Sequence, residues 1–421
     1  MKILKSVLEE TLAKIGGFKD KDHSTVSFII EKGVLTLLVR NDVDYAMRKL
    51  DKVEALEGME SFAIDVSELM YVLGFSDAES VNFEFIDNKV QIKSGIISLK
   101  ANKSEIEKVA RTKSENMAKL TLDADKFVEA ISLASNAIEV SAIFTGCVAV
   151  NVVDKKAKIQ ALDGVTGIFD YMTIDADKDF TLNIPKEKIQ LFKGMAGEYK
   201  GVYDIDNQVL FATDGEYMFS IKLKDFKFSD FREQLKFGDS LVDIVKQSEV
   251  VLDISKEELS KCVSLFKGMK EGVYAEFRKE DNKHTLTCEA TEKTVTVELM
   301  GKAMVRGGDV HLFYFDINRI KWIQHLKEDK IFVFFKKYHI DMNDKVEKTS
   351  MFNKIVPYDT SEGEFNEISS RKVGLFLPVK NDKVNAFYKG LEGGEKEQEE
   401  KTEDVAEEES EQTDAVEEVE E

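Results

Sequence analysis

The sequence is poor in residues that interrupt or cross-link a chain. Only three of its 421 residues are proline, so it has few of the fixed bends that break regular strands. Its three cysteines, Cys147, Cys262 and Cys288, are odd in number and far apart, which excludes a disulfide framework and a zinc site of paired cysteines. We interpret them as buried thiols in a protein of the reducing cytoplasm.

Long apolar runs and catalytic motifs are missing as well. No apolar stretch approaches the roughly 18 residues that a membrane-spanning helix needs, and the charged first residues do not resemble a signal peptide. The five histidines are scattered, and no phosphate-binding glycine loop, nucleophile elbow or zinc-binding histidine motif occurs. These absences predict a protein without enzymatic activity and without a cofactor.

One acidic triplet imitates a calcium-binding loop. Asp175, Asp177 and Asp179 have the alternate spacing of calcium ligands, but Phe180 stands where such a loop requires glycine, and no glutamate closes it. We therefore expect a solvated turn here and no metal site.

The chain does contain a globular body with an acidic end. Hydrophobic residues make up 43% of the sequence and 28 residues are phenylalanine, a composition that favours a strand-rich core. The net charge is −21, but 16 acidic and 2 basic residues between Glu392 and Glu421 account for −14 of it. We predict a disordered acidic tail on a mildly acidic body, and the tail is either a solvating appendage or a DNA mimic or recruitment tail.

One pattern returns about every 60 residues: a short amphipathic helix followed by two or three alternating strands. It is clearest at 62–70 with 81–85, at 182–189 with 199–203, and at 312–320 with 331–335. A repeated unit without a catalytic signature predicts a symmetric structure. The fold class that we expect is α+β.

Six such half-units predict three domains, each with two helices packed on antiparallel strands. The expected helices cover 5–15, 66–73, 123–134, 185–195, a stretch after the capping-box residue Ser255, and 317–327. The expected bounds are 1–115, 116–248 and 249–358 for the domains and 359–421 for an extension with the acidic tail. The stretch 373–379 is either one more strand or the last strand of the third domain, which we end at Pro357–Tyr358.

Three short stretches carry a resemblance to a known family. Residues 90–99 are similar to the closing strands of its first domain, 161–164 to its A-T-D-G strand end, and 223–232 to its G-x-F-P-D-Y-R stretch. In this order and on a triplicated frame, they resemble the bacterial replicative sliding clamp, the beta subunit of DNA polymerase III, over roughly Met1 to Tyr358. The divergence indicates a phage-encoded or otherwise distant member.

The resemblance implies a function as well as a fold. The family forms rings of two three-domain subunits arranged head to tail, with strands outside and helices around the hole. The ring encircles duplex DNA without reading bases and tethers the replicative polymerase, which makes DNA replication processive. A clamp loader opens and closes it. The resemblance thus implies a cytoplasmic homodimer that acts as a processivity factor, with double-stranded DNA, polymerase and loader as partners and no membrane.

A helix that lines such a hole needs one packed face and one polar face with some lysine or arginine, because phosphate contacts need no base sequence. In the second and third predicted domains, basic residues fall opposite apolar positions such as Ile189 and Phe192. The DNA-facing candidates are Lys186, Lys193, Lys256, Lys261, Lys267, Arg319 and Lys321. An ordinary solvated helix face is the alternative for each of them.

The resemblance also implies an apolar cleft where polymerase and loader dock. The residues carried over to that cleft are Leu162, Gly164, Val165, Thr166, Gly167, Val356, Pro357 and Tyr358. Two departures bear on its specificity, because Val165-Thr166 replaces a His-Arg pair and Lys236 replaces a proline. Strand-end packing is the alternative role for each residue.

A different class of protein also fits the repeats. A structural or interaction protein, such as a virion component, can be built from the same units without a hole. Neutralising the lysine faces separates the two hypotheses, because only a clamp then loses loader-dependent retention on circular DNA.

Overall fold

The structure is a computed structural model in which the chain divides into two compact units. Unit 1 is 1–230 with 371–373, and unit 2 is 231–370 with 374–421. The structure describes residues 1–19, 24–41, 43–50, 53–54, 56, 58–106, 114–136, 146–162, 166–225, 248–267, 269, 272–279, 284–290, 293–336, 353–358, 372–376, 379 and 381–388. The acidic tail lies outside these residues.

Four half-units, each made of a strand, a helix and three strands, lie in unit 1. The first consists of β1 (Lys2–Leu4), α1 (Lys5–Ile15), β2 (Thr25–Glu31), β3 (Val34–Arg40) and β4 (Tyr45–Leu50). The second consists of β5 (Phe62–Asp65), α2 (Val66–Phe75), β6 (Ser80–Ile86), β7 (Lys89–Ser94) and β8 (Ile97–Asn102). The third consists of β9 (Met117–Asp123), α3 (Ala124–Ser135), β10 (Cys147–Val153), β11 (Lys156–Leu162) and β12 (Thr166–Thr173). After the short β13 (Asp175–Ala176), the fourth consists of β14 (Phe180–Pro185), α4 (Ile189–Phe192), β15 (Glu198–Asp204), β16 (Val209–Thr213) and β17 (Tyr217–Lys222).

Unit 2 contains two more half-units. The first consists of β18 (Val250–Ser255), α5 (Lys256–Phe266), β19 (Val273–Arg278), β20 (His284–Ala290) and β21 (Lys293–Leu299). After β22 (Lys302–Val305), the second consists of β23 (Val310–Phe315), a 3₁₀ helix (Ile317–His325), β24 (Lys330–Phe335), β25 (Asn353–Tyr358) and β26 (Val373–Phe376).

The two half-units of each pair exchange their first strands. β1 joins the second half-unit by pairing with β6, and β5 joins the first by pairing with β2. The same exchange pairs β9 with β15 and β14 with β10 and, in unit 2, β18 with β24 and β23 with β19. Three interlocked repeats result, two in unit 1 and one in unit 2, which confirms the triplicated α+β fold expected from the sequence.

In unit 1, the first and second repeats share one sheet. β17 of the second repeat pairs with β4 of the first, from Tyr217 opposite Arg48 to Ser220 opposite Tyr45. We call this strand pair the joint. Among the described strands, β8 of the first repeat and β21 of the third each form one edge of their sheets, and we call these two strands the open edges.

Three helices begin at a residue whose side chain caps them, and one of these residues, Ser255, is the cap that the sequence predicts. Before α2, Asp65 accepts the amide of Ser67 at 2.7 Å, and before α3, Asp123 accepts that of Lys126 at 3.2 Å. Ser255 caps α5 in the same way. Each cap satisfies an amide that has no partner within the helix and stabilises the helix by about 1 kcal/mol.

Two predicted helices differ from expectation. The stretch 185–195 forms a 3₁₀ turn at Lys186–Lys188 and the single α-helical turn α4. The stretch 317–327 is a 3₁₀ helix because its buried isoleucines recur every three residues, which matches 3.0 residues per turn and not 3.6. None of the described helices is long and apolar enough to cross a membrane.

The chain beyond Tyr358 adds a strand to the sheet of the third repeat. β26 pairs with β25, with Asn353 opposite Phe376, so 373–376 form a strand of this sheet, while 377 and 378 lie outside the described residues. β26 occupies the position that β8 has in the first repeat. The domain boundaries stay proposals, and we now favour ending the third domain after β26.

Aromatic rings fill the cores of the repeats. Phe28 stacks on Phe62 with 4.5 Å between ring centroids, and Phe277 packs against Phe335 at 5.0 Å. The three cysteines are buried free thiols, as the sequence predicts. Burial raises the pKa of Cys262 to about 11.

Candidate functional site

The basic candidates of the second repeat flank α4. Ile189 and Phe192 are buried, whereas Lys193 at the end of the helix is exposed and Lys186 is half-buried. The predicted division into an apolar side and a basic side is therefore present, although the helix is only one turn long.

Two of the third-repeat candidates hold groups of the protein itself. The ammonium group of Lys256 donates to the carbonyl oxygen of Leu326 at 2.8 Å, which ties the start of α5 to the end of the 3₁₀ helix. Lys261 forms an ion pair with Glu257 at 2.6 Å, one turn earlier in α5. The ion pair offsets the charge of Lys261, and the hydrogen bond engages the ammonium group of Lys256 within the protein.

The remaining third-repeat candidates differ in exposure. Lys267 and Lys321 are exposed, while Arg319 is half-buried with its Nε 3.9 Å from a carboxylate oxygen of Asp316. Lys193, Lys267 and Lys321 are therefore the best placed of the seven candidates for weak contact with phosphate. The assignment of a DNA-facing side stays a prediction.

The predicted pocket residues lie in both units, and each set is described by itself. In unit 1, Thr166 and Gly167 are buried at the start of β12, where the backbone of Leu162 pairs with Gly167. Gly164 and Val165 lie outside the described residues.

In unit 2, Val356 and Pro357 are buried within β25, which runs between β24 and β26. Tyr358 is half-buried, stacks on Phe332 at 4.3 Å and donates its hydroxyl to Asp253 at 2.6 Å. Burial and this hydrogen bond raise the pKa of Tyr358. Only Tyr358 of the three presents much surface, and the pocket stays a prediction.

The open edges share a feature that the sequence analysis did not single out. Ile97 and Leu99 of β8 are only half-buried, although the residues opposite them in β7 are fully buried. Val295 and Val297 of β21 are half-buried opposite buried residues of β20. Aliphatic side chains left half open at a sheet edge are what a further strand would cover.

Helices of the half-units that end in β8 and β21 also expose apolar side chains. On α2, Met70, Tyr71 and Phe75 are 48, 55 and 68% exposed, and the two rings lie 4.8 Å apart. α2 packs against β7 and β8, so this patch borders the open edge of β8. α5, in the half-unit of β21, exposes Leu265. The signal was present in the sequence, because the α2 stretch is apolar on more than one side.

The joint in unit 1 buries a pair of opposite charges. The carboxylate of Asp44, whose side chain is 2% exposed, binds the ammonium group of Lys188 at 2.8 Å and accepts the amide of Lys222 at 2.7 Å. Lys188 also donates to the carbonyl oxygen of Lys222 at 2.7 Å. Asp44 precedes β4 and both lysines belong to the second repeat, so the cluster ties the two repeats together.

A second cluster lies on the other half of the joint. Arg48, whose side chain is 8% exposed, donates to Glu216 at 2.6 Å and to the Thr11 hydroxyl at 2.8 Å. Its guanidinium group lies 4.7 Å from the centroid of the Tyr217 ring. Burial by itself would raise the pKa of Glu10, but the charge of Arg48 and the hydrogen bond from Tyr217 outweigh it and lower that pKa.

Helices of the same two half-units meet beside the joint. Gly194, just beyond α4, approaches α1 so closely that a Cβ atom on it would lie 2.6 Å from the carbonyl oxygen of Lys14. Here glycine is required by the close approach of two backbones. The joint is therefore a strand pair flanked by a contact between the helices of the same half-units.

The side chains of the acidic triplet bind groups of the protein itself, with Asp175 in β13 and the other two in the turn that follows it. Asp175 forms an ion pair with Lys155 at 2.6 Å, and Asp177 and Asp179 accept backbone amides at 2.8 and 3.1 Å. Within the described residues, no group of three or more histidine, cysteine, aspartate or glutamate side chains could hold a metal ion.

Solved structures share this fold. The DNA polymerase III beta subunit of Thermotoga maritima matches with a TM-score of 0.72 at 12% identity, over 90% of this chain and 99% of that one. A DNA polymerase sliding clamp from Pseudomonas aeruginosa matches over the same shares with a TM-score of 0.72 at 13% identity. The DNA polymerase III beta chain of Streptococcus pneumoniae does so with a TM-score of 0.72 at 16% identity.

The structural matches cover more of the chain than the resemblance in sequence does. A coverage of 90% is about 379 of 421 residues, whereas the sequence resemblance was traced only to Tyr358. No protein-family model and no curated protein sequence matches the chain. At such low identities the likeness establishes the fold alone, and that fold is the one of the DNA polymerase III beta sliding clamps.

Proposed function

We propose that the chain is a DNA sliding clamp, two copies of which encircle duplex DNA head to tail and tether a replicative polymerase. The observation that carries the proposal is that, among the described strands, β8 and β21 each lie at a sheet edge, and each closes a half-unit just as the strands β4 and β17 that pair in the joint do. Two copies supply two β8 edges and two β21 edges. When β8 of each copy pairs with β21 of the other, no β8 or β21 edge stays uncovered. The two copies then form a closed ring.

The joint serves as a template for the contact between copies. There β4 pairs with β17, and the helices of the same half-units, α1 and α4, approach each other. In the same arrangement α2 of one copy meets α5 of the other. Met70, Tyr71 and Phe75 on α2 and Leu265 on α5 then cover one another, which provides the apolar centre that a stable interface needs.

The proposed contact with DNA is weak and independent of base sequence. Lys193, Lys267 and Lys321 are exposed, whereas Lys261 is already paired with Glu257. A few ammonium groups that exchange among phosphates permit sliding, because many tight phosphate contacts would hold the protein in place.

The finer parts of the proposal rest on the resemblance. Polymerase and clamp loader are proposed to dock on the cleft residues carried over from the family, and this role needs neither a catalytic group nor a cofactor. Location in the cytoplasm and a phage origin stay predictions.

Cross-linking between the open edges tests the proposal. The native cysteines are buried, so Ser98→Cys on β8 and Thr296→Cys on β21 introduce the exposed thiols. A short bismaleimide should convert the double variant into a covalent dimer, and sedimentation of the uncross-linked protein should give twice the 47.7 kDa of one chain.

The single variants are the matched controls. Ser98→Cys alone and Thr296→Cys alone should give no cross-linked dimer, because β8 of one copy faces β21 of the other and never a second β8. A strict monomer at micromolar concentration, or equal cross-linking by a single variant, contradicts the proposed arrangement.

A further inference from the structure

The segment after the last strand of each repeat crosses to the edge of the other sheet of that repeat. In the first repeat the amide of Ser104 donates to a carbonyl oxygen of β5 at 2.9 Å, and in the second the amide of Lys224 donates to one of β14 at 3.1 Å. In the third the amide of Val379 donates to the carbonyl oxygen of Tyr314 in β23 at 3.0 Å. Up to this point the three repeats behave alike.

The third repeat then departs from the pattern. A short helix at 382–388 follows, and the side chain of Asn381 caps it by accepting the amide of Lys383 at 3.0 Å. At its end Tyr388 is buried, and its hydroxyl accepts the amide of Leu312 in β23 at 3.2 Å. We call the described residues 379 and 381–388 the latch, since they hold both an amide and a carbonyl group on the edge of β23.

Among the described residues of the latch only Tyr388 is buried, and Asn381 and Lys383 contact β19 and β20 through polar groups. Asn381 donates to the hydroxyl of Tyr274 at 3.0 Å, and Lys383 pairs with Glu289 at 2.6 Å and lies 4.7 Å from the Tyr274 ring centroid. Exposed ion pairs contribute at most about 1 kcal/mol, and a helix of two turns is not stable by itself in water. The buried ring of Tyr388 is therefore the main anchor.

We propose that the latch is a detachable cover of the β23 edge, and that its release opens a site where an extended peptide of a partner protein pairs with β23. A strand edge with unpaired amide and carbonyl groups is a template for strand addition. The amide of Leu312 and the carbonyl group of Tyr314 supply these groups once the latch leaves. An element held by few apolar contacts opens at a lower free energy than the core.

The latch sequence itself is the probe. A labelled synthetic peptide of residues 377–390 is titrated onto the full-length protein and its variants, while hydrogen exchange of the Leu312 amide is measured. Tyr388→Ala should raise the affinity for the peptide and the exchange rate of Leu312 at least tenfold. Lys383→Glu should raise the peptide affinity and the exchange rate of Leu312 to a smaller extent. Adding Glu289→Lys to it should return both quantities to the wild-type values.

Lys302→Glu is the control, because it makes the same charge change on β22 at an exposed position. It should alter neither value. Equal peptide binding by wild type and Tyr388→Ala, or unchanged exchange at Leu312, overturns the proposal. Fluorescence of Trp322 shows whether Tyr388→Ala unfolds the third repeat. If it does, the test is made with Lys383→Glu and with the double variant that adds Glu289→Lys.

Discussion

The joint of unit 1 and the two open edges are built from equivalent strands but from different side chains. At the joint, the chain buries Asp44 against Lys188, and it buries Arg48 against the half-exposed Glu216. On β8 and β21 the half-buried inward residues are aliphatic. A buried ion pair that loses its partner leaves a costly uncompensated charge, whereas aliphatic side chains tolerate water when a contact opens. The difference predicts a permanent joint and, under the proposed pairing of two copies, edges that can separate again.

The largest expected effect comes from breaking the joint. Asp44→Asn should lower the free energy of unfolding of unit 1 by about 3–5 kcal/mol, because Lys188 keeps its charge without a counter-ion. Circular dichroism during urea unfolding should show an earlier transition, whereas fluorescence of Trp322, the single tryptophan, reports unit 2. The exposed Asp309→Asn serves as control with a change within about 0.5 kcal/mol. A loss below about 1 kcal/mol for Asp44→Asn would show that the pair does not hold the joint.

The second-largest effect is expected from weakening the proposed contact between β8 and β21 of two copies. Leu99→Asp places a carboxylate where β21 of the partner is proposed to pack, so the dissociation constant of the dimer should rise about 100-fold, or about 2.8 kcal/mol. Ser98→Asp, exposed on the opposite face of β8, should change it less than about threefold. Equal effects of the two substitutions would argue against pairing in this orientation. Sedimentation across a dilution series measures both.

Removing part of the α2 patch should have a smaller effect on the same equilibrium. Phe75→Ser deletes the most exposed ring of the patch, and we expect the dimer to dissociate about tenfold more readily, or about 1.4 kcal/mol. Val153→Ser removes another exposed apolar side chain, on β10 of the second repeat, and should have no effect. If neither substitution shifts the equilibrium, the patch lies outside the interface.

The N-cap of α2, the helix that packs against the open edge β8, makes the stability of the protein depend on pH. Burial alone would raise the pKa of Asp65, but hydrogen bonds from Ser24 and Ser67 outweigh it and lower that pKa. Such a carboxylate stabilises the folded state fully at a pH above its pKa in the unfolded chain. This stabilisation is lost as the pH falls through its pKa in the folded protein. Asp65→Ala should therefore cost about 1 kcal/mol at neutral pH and progressively less below about pH 4. A cost that does not change with pH would argue against an ionised cap.

The smallest effect is expected at the lysine faces. Lys193→Ala with Lys267→Ala should weaken binding to duplex DNA a few-fold at low salt and reduce the salt dependence by about one unit of slope per lysine. The dimer equilibrium should not move, which separates this pair from Leu99→Asp. Anisotropy of a labelled duplex measures the affinity. Unchanged binding would remove these residues from the proposed DNA-facing side.

Local patterns in the sequence predicted most of the fold. The cap at Ser255 was predictable because a capping side chain acts within a few residues. Positive backbone φ angles at Lys32, Gly33 and Asp87 are equally local features of two turns. The alternation of apolar residues in the strands predicted the repeats. The predictions of two helices, at 185–195 and 317–327, were wrong in type or length. In the second, the spacing of isoleucines by three residues was nevertheless visible in the sequence.

The joint could not be predicted in the same way. Lys188 lies 144 positions from Asp44, and Glu216 lies 168 positions from Arg48, so only tertiary structure brings each pair together. The open edges were equally hidden, because an edge strand and an inner strand have the same alternation. The α2 patch was accessible in principle, since a helix that is apolar on two sides needs a second contact.

Retention of a closed dimer on circular DNA tests the central claim most directly. The protein with Ser98→Cys and Thr296→Cys is assembled with a plasmid, cross-linked, and washed with about 1 M salt, which removes electrostatic binding. The account predicts that the cross-linked dimer stays on the intact circle and leaves once the plasmid is cut at a single site. Loss of the dimer from the intact circle, or its retention after the cut, would contradict encirclement.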